Sequence, residues 1–113
     1  MIRRLLLCSV AAVLPLCSAL AGDYKGLSQK RCADRAALMF GILVVSHDIK
    51  AGTMRLFVRE REWSALNWDN RADTAALFNC AITPEGSTAY IDFIGDASGQ
   101  VLARWDGLRL NRP

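Results

Sequence analysis

The side chains of this chain that could do chemistry are few: His47, the cysteines, a set of arginines around Phe57, and the tryptophans. His47 is the sole histidine. An imidazole titrates near neutrality and can serve as a general acid or base, but it needs a second group to orient it. Asp48 cannot do so, because neighbouring residues of a strand point to opposite faces. Asp92 or Asp96 would have to approach through the fold. Without an implied base and nucleophile pair, His47 reads first as a packed, hydrogen-bonded residue on an apolar strand face, and second as the centre of a small-molecule site or a small periplasmic active site.

The other chemistries are weaker still. No G-x-S-x-G elbow occurs, and no glycine-rich loop precedes a helix as a phosphate cradle requires. One histidine, four cysteines without C-x-x-C spacing and scattered carboxylates do not make a metal centre. Asp92, Asp96 and Asp106 are too far apart for a calcium loop, and Asp96-Ala97-Ser98-Gly99 reads as a turn. No cofactor is expected, and enzymatic activity has no motif behind it.

Two features suit binding better. Arg55, Phe57 and Arg59 alternate along one stretch, and Arg61 follows. Arginines around an aromatic ring can grip a carboxylated or acidic partner, although the same pattern also serves as a solvated strand face. Trp68 lies in the polar run Asn67-Trp68-Asp69-Asn70. A large aromatic there is either a contact residue or a cover for a helix start. The candidate contact set is therefore Arg55, Phe57, Arg59, Arg61 and Trp68.

Compartment follows from the first 21 residues. Arg3 and Arg4 precede an uncharged apolar run from Leu5 to Leu20, and Ala19-Leu20-Ala21 offers small residues where a signal peptidase reads. Cleavage after Ala21 would leave Gly22–Pro113 as one domain, periplasmic or secreted. The rival readings fit less well. The apolar run is 16 residues, short of the roughly 17–25 of a spanning helix. Leu16 before Cys17 is not the small residue a lipoprotein signal wants. Arg3-Arg4 lacks the flanks of a twin-arginine signal.

Cys8 and Cys17 would leave with the signal, so Cys32 and Cys80 remain as a pair and are expected to form one disulfide. The chain carries a net charge of +3; without Arg3 and Arg4, 12 Lys and Arg face 11 Asp and Glu, a net +1. That balance argues against nucleic acid as a partner and against an acidic disordered chain. No membrane contact is expected after cleavage. The partner is expected to be a protein or an envelope component.

The elements that must position these groups can be read along the mature chain. Ser28 can cap a helix over 29–38, with Cys32 and Ala36 on its inner face. Gly41 to Ile49 reads as a buried strand, 50–53 as a turn and Met54–Glu60 as a second strand, an antiparallel hairpin. Trp63 opens new helical signals, and Asp69 or Asn70 can cap a longer helix to about Ile82 that carries Cys80. Arg71, Ala75, Phe78 and Ile82 fall on one stripe of it. Residues 83–87 form a loop, Thr88–Ile94 a strand, 96–99 a hairpin turn with Gly99 left-handed, Gln100–Trp105 the return strand, and 108–110 a further edge. The order predicts a small single α+β domain: helix, two strands, helix, two strands, with the helices packed on an antiparallel sheet. The exposed loops 83–87 and 96–99 are the only candidates for a third reading, an inhibitor of a secreted hydrolase.

Overall fold

The computed structural model describes residues 28–84 and 87–113. The leader assigned to 1–21, the segment 22–27 and part of the loop 83–87 lie outside the described residues. The elements are α1 (Gln29–Ala37), β1 (Val44–Lys50), β2 (Thr53–Val58), α2 (Glu60–Ala65), α3 (Trp68–Ile82), β3 (Tyr90–Gly95), β4 (Val101–Trp105) and β5 (Leu110–Asn111). The strands form one sheet in the order β1-β2-β3-β4-β5. The α+β class and the alternation of helices and hairpins are as the sequence predicts.

The sheet is mixed rather than wholly antiparallel. Three pairings are antiparallel, and β2 runs parallel to β3, Leu56 opposite Phe93. A parallel neighbour requires the chain to cross the sheet between the two strands. Residues 59–89 do this through α2 and α3, which places both helices on the sheet face that Leu56, Val58, Ile91, Phe93, Ala103 and Trp105 present to the core.

Local chemistry sets the element ends. The Ser28 hydroxyl accepts from the Arg31 amide at 3.3 Å and starts α1. The first strand begins at Val44, three residues later than its branched apolar run suggests. The Met39 carbonyl accepts from the amides of Ile42, Leu43 and Val44, and Gly41 takes a φ of 85° to let the chain wrap around it. The β1–β2 turn has positive φ at both Ala51 (52°) and Gly52 (80°), the geometry whose twist matches a hairpin. The cap of α3 is Asn67, not Asp69 or Asn70. Its side-chain oxygen accepts from the Asn70 amide at 2.8 Å, so the helix begins at Trp68.

Burial on α3 does not follow the predicted stripe. Thr74 to Phe78 are all buried, because the helix is enclosed on several sides rather than laid on one. Arg71 leaves the stripe altogether. Its guanidinium donates to the carbonyls of Trp63 (3.0 Å) and Ser64 (3.2 Å), closing the end of α2, and lies over the Trp63 ring. Trp63 stacks on Phe93 with ring centroids 4.7 Å apart. The Cys32–Cys80 disulfide is formed and ties α1 to α3. Asn79 is the second fastening. Its side-chain oxygen accepts from the Ala89 amide (2.8 Å) and from Trp105 Nε1 (3.1 Å), joining α3 to the approach to β3 and to β4.

Candidate functional site

The arginine surface resolves into a charge ladder on the uncovered face of the sheet. Asp48, Arg55, Asp92, Arg104 and Asn111 stand side by side on β1 to β5. The Arg55 guanidinium donates to both Asp48 oxygens, Nε at 2.6 Å, and also lies over the Phe57 ring at 5.4 Å. This hydrogen bond holds the Asp48 carboxyl below its ordinary pKa and raises that of Arg55. Arg104 reaches Asp92 at 3.9 Å. Arg55 is thus already matched with carboxylates on both sides. The pairing was hidden in the sequence because register, not proximity, sets it.

Arg59 and Arg61 sit where β2 passes into α2, and both are exposed. Trp68 is elsewhere. It opens α3, packs half-buried against the core on the helix side of the sheet, and is covered by the Arg112 guanidinium at 4.3 Å. It borders a recess with Asp69, Asp73, Trp105, Leu108 and Arg109. The five expected contact residues therefore do not form one surface: Arg55 and Phe57 face away from the helices, and Trp68 faces among them.

His47 stands in a different kind of place. It lies on the helix-facing side of β1, opposite Leu56, with its ring edge-on to Phe40 at 5.6 Å. α1 and α3 do not reach far enough to cover this end of the β1–β2 hairpin. An open recess of about 180 Å³ is left there, lined by Ala33, Ala36 and Ala37 of α1, Phe78 and Ile82 of α3, Met54 of β2 and His47. A second recess of about 170 Å³ and mixed polarity lies between Ile49 and Tyr90 and shares Met54 and Ile82 with the first. Each has room for about six waters, or for one aliphatic side chain of like bulk. Each lining includes an exposed apolar side chain: Phe40, 41 % exposed, in the first and Ile49, 70 % exposed, in the second.

The structure brings neither Asp92 nor Asp96 to His47. Asp92 faces the other side of the sheet with Arg104, and Asp96 follows β3 with its amide on the Val58 carbonyl. Among the described residues no group of three or more side chains could hold a metal ion, and no helix is long and apolar enough to cross a membrane. The sequence signals for the groove were present but unremarkable. Ala33, Ala36, Ala37 and Ala81 are small residues on the facing sides of two helices, and small residues leave space where larger ones would fill it.

In comparisons with known proteins, no family model, no curated protein and no solved structure matches this chain.

Proposed function

We propose that this chain is an exported binding protein, periplasmic or secreted, with no catalytic role, and that it holds an apolar group of its partner in the groove between α1, α3 and the β1–β2 hairpin. The observation that carries the reading is the first recess: an apolar hollow, open to solvent, with exposed Phe40 in its lining, next to a second recess at Ile49 that shares Met54 and Ile82 with it. A concave site lined mainly by apolar side chains with a few polar groups is the usual form of a ligand site. His47 is the one titratable group in the lining of the first recess and can hydrogen-bond there. Export is supported by the basic, apolar and small-residue pattern of residues 1–21 and by a disulfide that persists in oxidising compartments.

The test uses Nile red, a neutral dye that brightens in apolar sites. Oxidised protein should enhance its emission, and Ala37→Phe, which fills the first recess from an exposed position on α1, should abolish that enhancement with the far-ultraviolet circular dichroism unchanged. Enhancement that survives Ala37→Phe removes the groove as the site. The export half is tested by mass: protein recovered from the cell envelope or medium should begin at Gly22 and weigh two hydrogens less than the reduced chain.

A further inference from the structure

The free edge of β1 carries a pattern that complements itself. β1 ends the sheet, and its ladder partner is β2 alone. Every residue from Val45 to Lys50 is exposed. Ile49, 70 % exposed, stands between Asp48 and Lys50, whose side chains point to the other side of the sheet. The Lys50–Thr53 pair flanks the two-residue turn and is a hydrogen-bonded pair. The backbone groups of Asp48 and Lys50 therefore turn towards β2, and those of His47 and Ile49 turn to the free edge. Lys50 makes no ion pair among the described residues. Asp48 holds Arg55, yet its side chain is still 45 % exposed, and a carboxylate can accept from more than one cation.

One register of self-pairing suits this edge. A twofold axis through Asp48 or Lys50 sets like charges directly opposite each other, which destabilises a strand pair. An axis through His47 or an earlier residue brings the second strand up against Val44, where Phe40 already bridges the edge and β1 is irregular. An axis through Ile49 avoids both. Ile49 lies opposite its own twin in a hydrogen-bonded pair. Each Lys50 lies opposite the partner's Asp48 in a pair without backbone bonds, where side chains come closest. The Phe40–Val44 bridge then lies beyond the turn of the second copy. No foreign sequence is needed, because the acidic, apolar and basic positions that a partner strand must supply are those of β1 itself.

We infer that two copies of this chain pair antiparallel along β1, about a twofold axis at Ile49, and join their five-stranded sheets with both helix layers on the same side. Opposite charges across the axis fix the register, and the Ile49 pair supplies the apolar contact. The contact spans only about five residues a side, short of the area of a permanent dimer, so the copies exchange with free monomer. This goes beyond the groove and does not depend on it.

The experiment is sedimentation of the oxidised protein from about 10 µM to about 1 mM, a range that spans weak association. A monomer–dimer equilibrium is expected. Lys50→Glu sets two carboxylates opposite each other on both sides of the axis and should weaken the dimer about tenfold or more. Asp48→Lys should do the same with two cations. An equimolar mixture of these two variants should recover association as a heterodimer, because every opposed pair then has opposite charges. Ile49→Cys should cross-link to its twin in air, since α-carbons about 5.5 Å apart lie in disulfide range; Lys50→Cys, about 8 Å from its twin, should not. The cysteine variants leave Asp48 and its Arg55 bond intact, and they carry the test if Asp48→Lys fails to fold. A protein that stays monomeric to about 1 mM overturns the inference. So does a dimer that Lys50→Glu leaves intact, because it uses another surface. A dimer in which Lys50→Cys cross-links as fast as Ile49→Cys, or which mixing the folded charge variants does not restore, overturns the register. Nile red binding in the first recess is read separately, so either result stands without the other.

Discussion

Removing the Cys32–Cys80 bond by the paired substitution Cys32→Ala and Cys80→Ala tests the link between stability and the groove. The bond closes a loop of 48 residues' separation, for which loop-closure entropy gives about 4 kcal/mol at 25 °C. A domain of this length has roughly 5–13 kcal/mol in total, so the loss is a third of it or more. With a urea dependence of about 1–2 kcal/mol/M, the midpoint should fall by roughly 2–4 M. The dependence itself should steepen slightly, because the unlinked unfolded chain exposes more surface. Trp63, buried on Phe93, makes intrinsic fluorescence a report on the core. The structure adds a functional consequence. α1 is one wall of the groove and the bond is its covalent tie to α3, so Nile red binding per folded molecule should weaken in the variant even where the sheet persists. A midpoint shift under about 1 M would refute the loop-entropy reasoning. A full shift with undiminished dye binding per folded molecule would refute the claim that the bond holds the groove wall.

Four further outcomes follow from particular contacts. Asn79→Leu strands the Trp105 indole N–H and the Ala89 amide and should cost about 1–3 kcal/mol in urea unfolding, while Asn79→Asp, which keeps the accepting oxygen, should recover most of it. Ala51→Gly relieves a left-handed backbone position and should raise stability by about 1 kcal/mol; Gly52→Ala at φ 80° should lower it. Arg55→Glu places a third carboxylate between Asp48 and Asp92 and should lower the melting temperature more than Arg59→Glu, at a position outside that ladder; equal effects would remove the ladder from the account. Asp48, Glu60 and Asp106 are each held below the ordinary carboxylate pKa, Asp48 first by the Arg55 hydrogen bond, Glu60 by Ser98, and Asp106 by the amides of Arg109 and Leu108. Their folded values lie under their unfolded ones, so their contribution is complete above about pH 5 and is lost as the pH falls through the folded values. The triple variant Asp48→Asn, Glu60→Gln, Asp106→Asn should show a flatter acid limb than the parent chain by thermal melting at pH 2–6.

Much of the fold was legible because it was written locally. Ser28 as a cap, Gly99 with its φ of 72°, alternation through Leu56 and Val58, and the placement of Cys32 and Cys80 on facing helices all depend on near neighbours or on one covalent pairing. What was misread depended on geometry further off. Asn67, Asp69 and Asn70 are all good capping types, so residue type does not choose among them; the Asn67 oxygen on the Asn70 amide does. The parallel pairing of β2 with β3 follows from α2 and α3 crossing the sheet, and no property of either strand's residues announces it.

The proposed groove was less legible, and for a physical reason. Arg55, Phe57 and Trp68 stand out as residue types, yet what a charge or a ring is free to do depends on what faces it. Register gives Arg55 to Asp48 and Asp92, and the end of the chain brings Arg112 over Trp68. A groove has the opposite logic. It is made by what is missing: alanines at 33, 36, 37 and 81 where larger side chains would close the gap, and helices that stop short of a hairpin extending past them. Each alanine alone is an ordinary helix residue. Only when α1 and α3 are laid against β1 and β2 does the shared deficit of volume become a recess, with His47 in its lining.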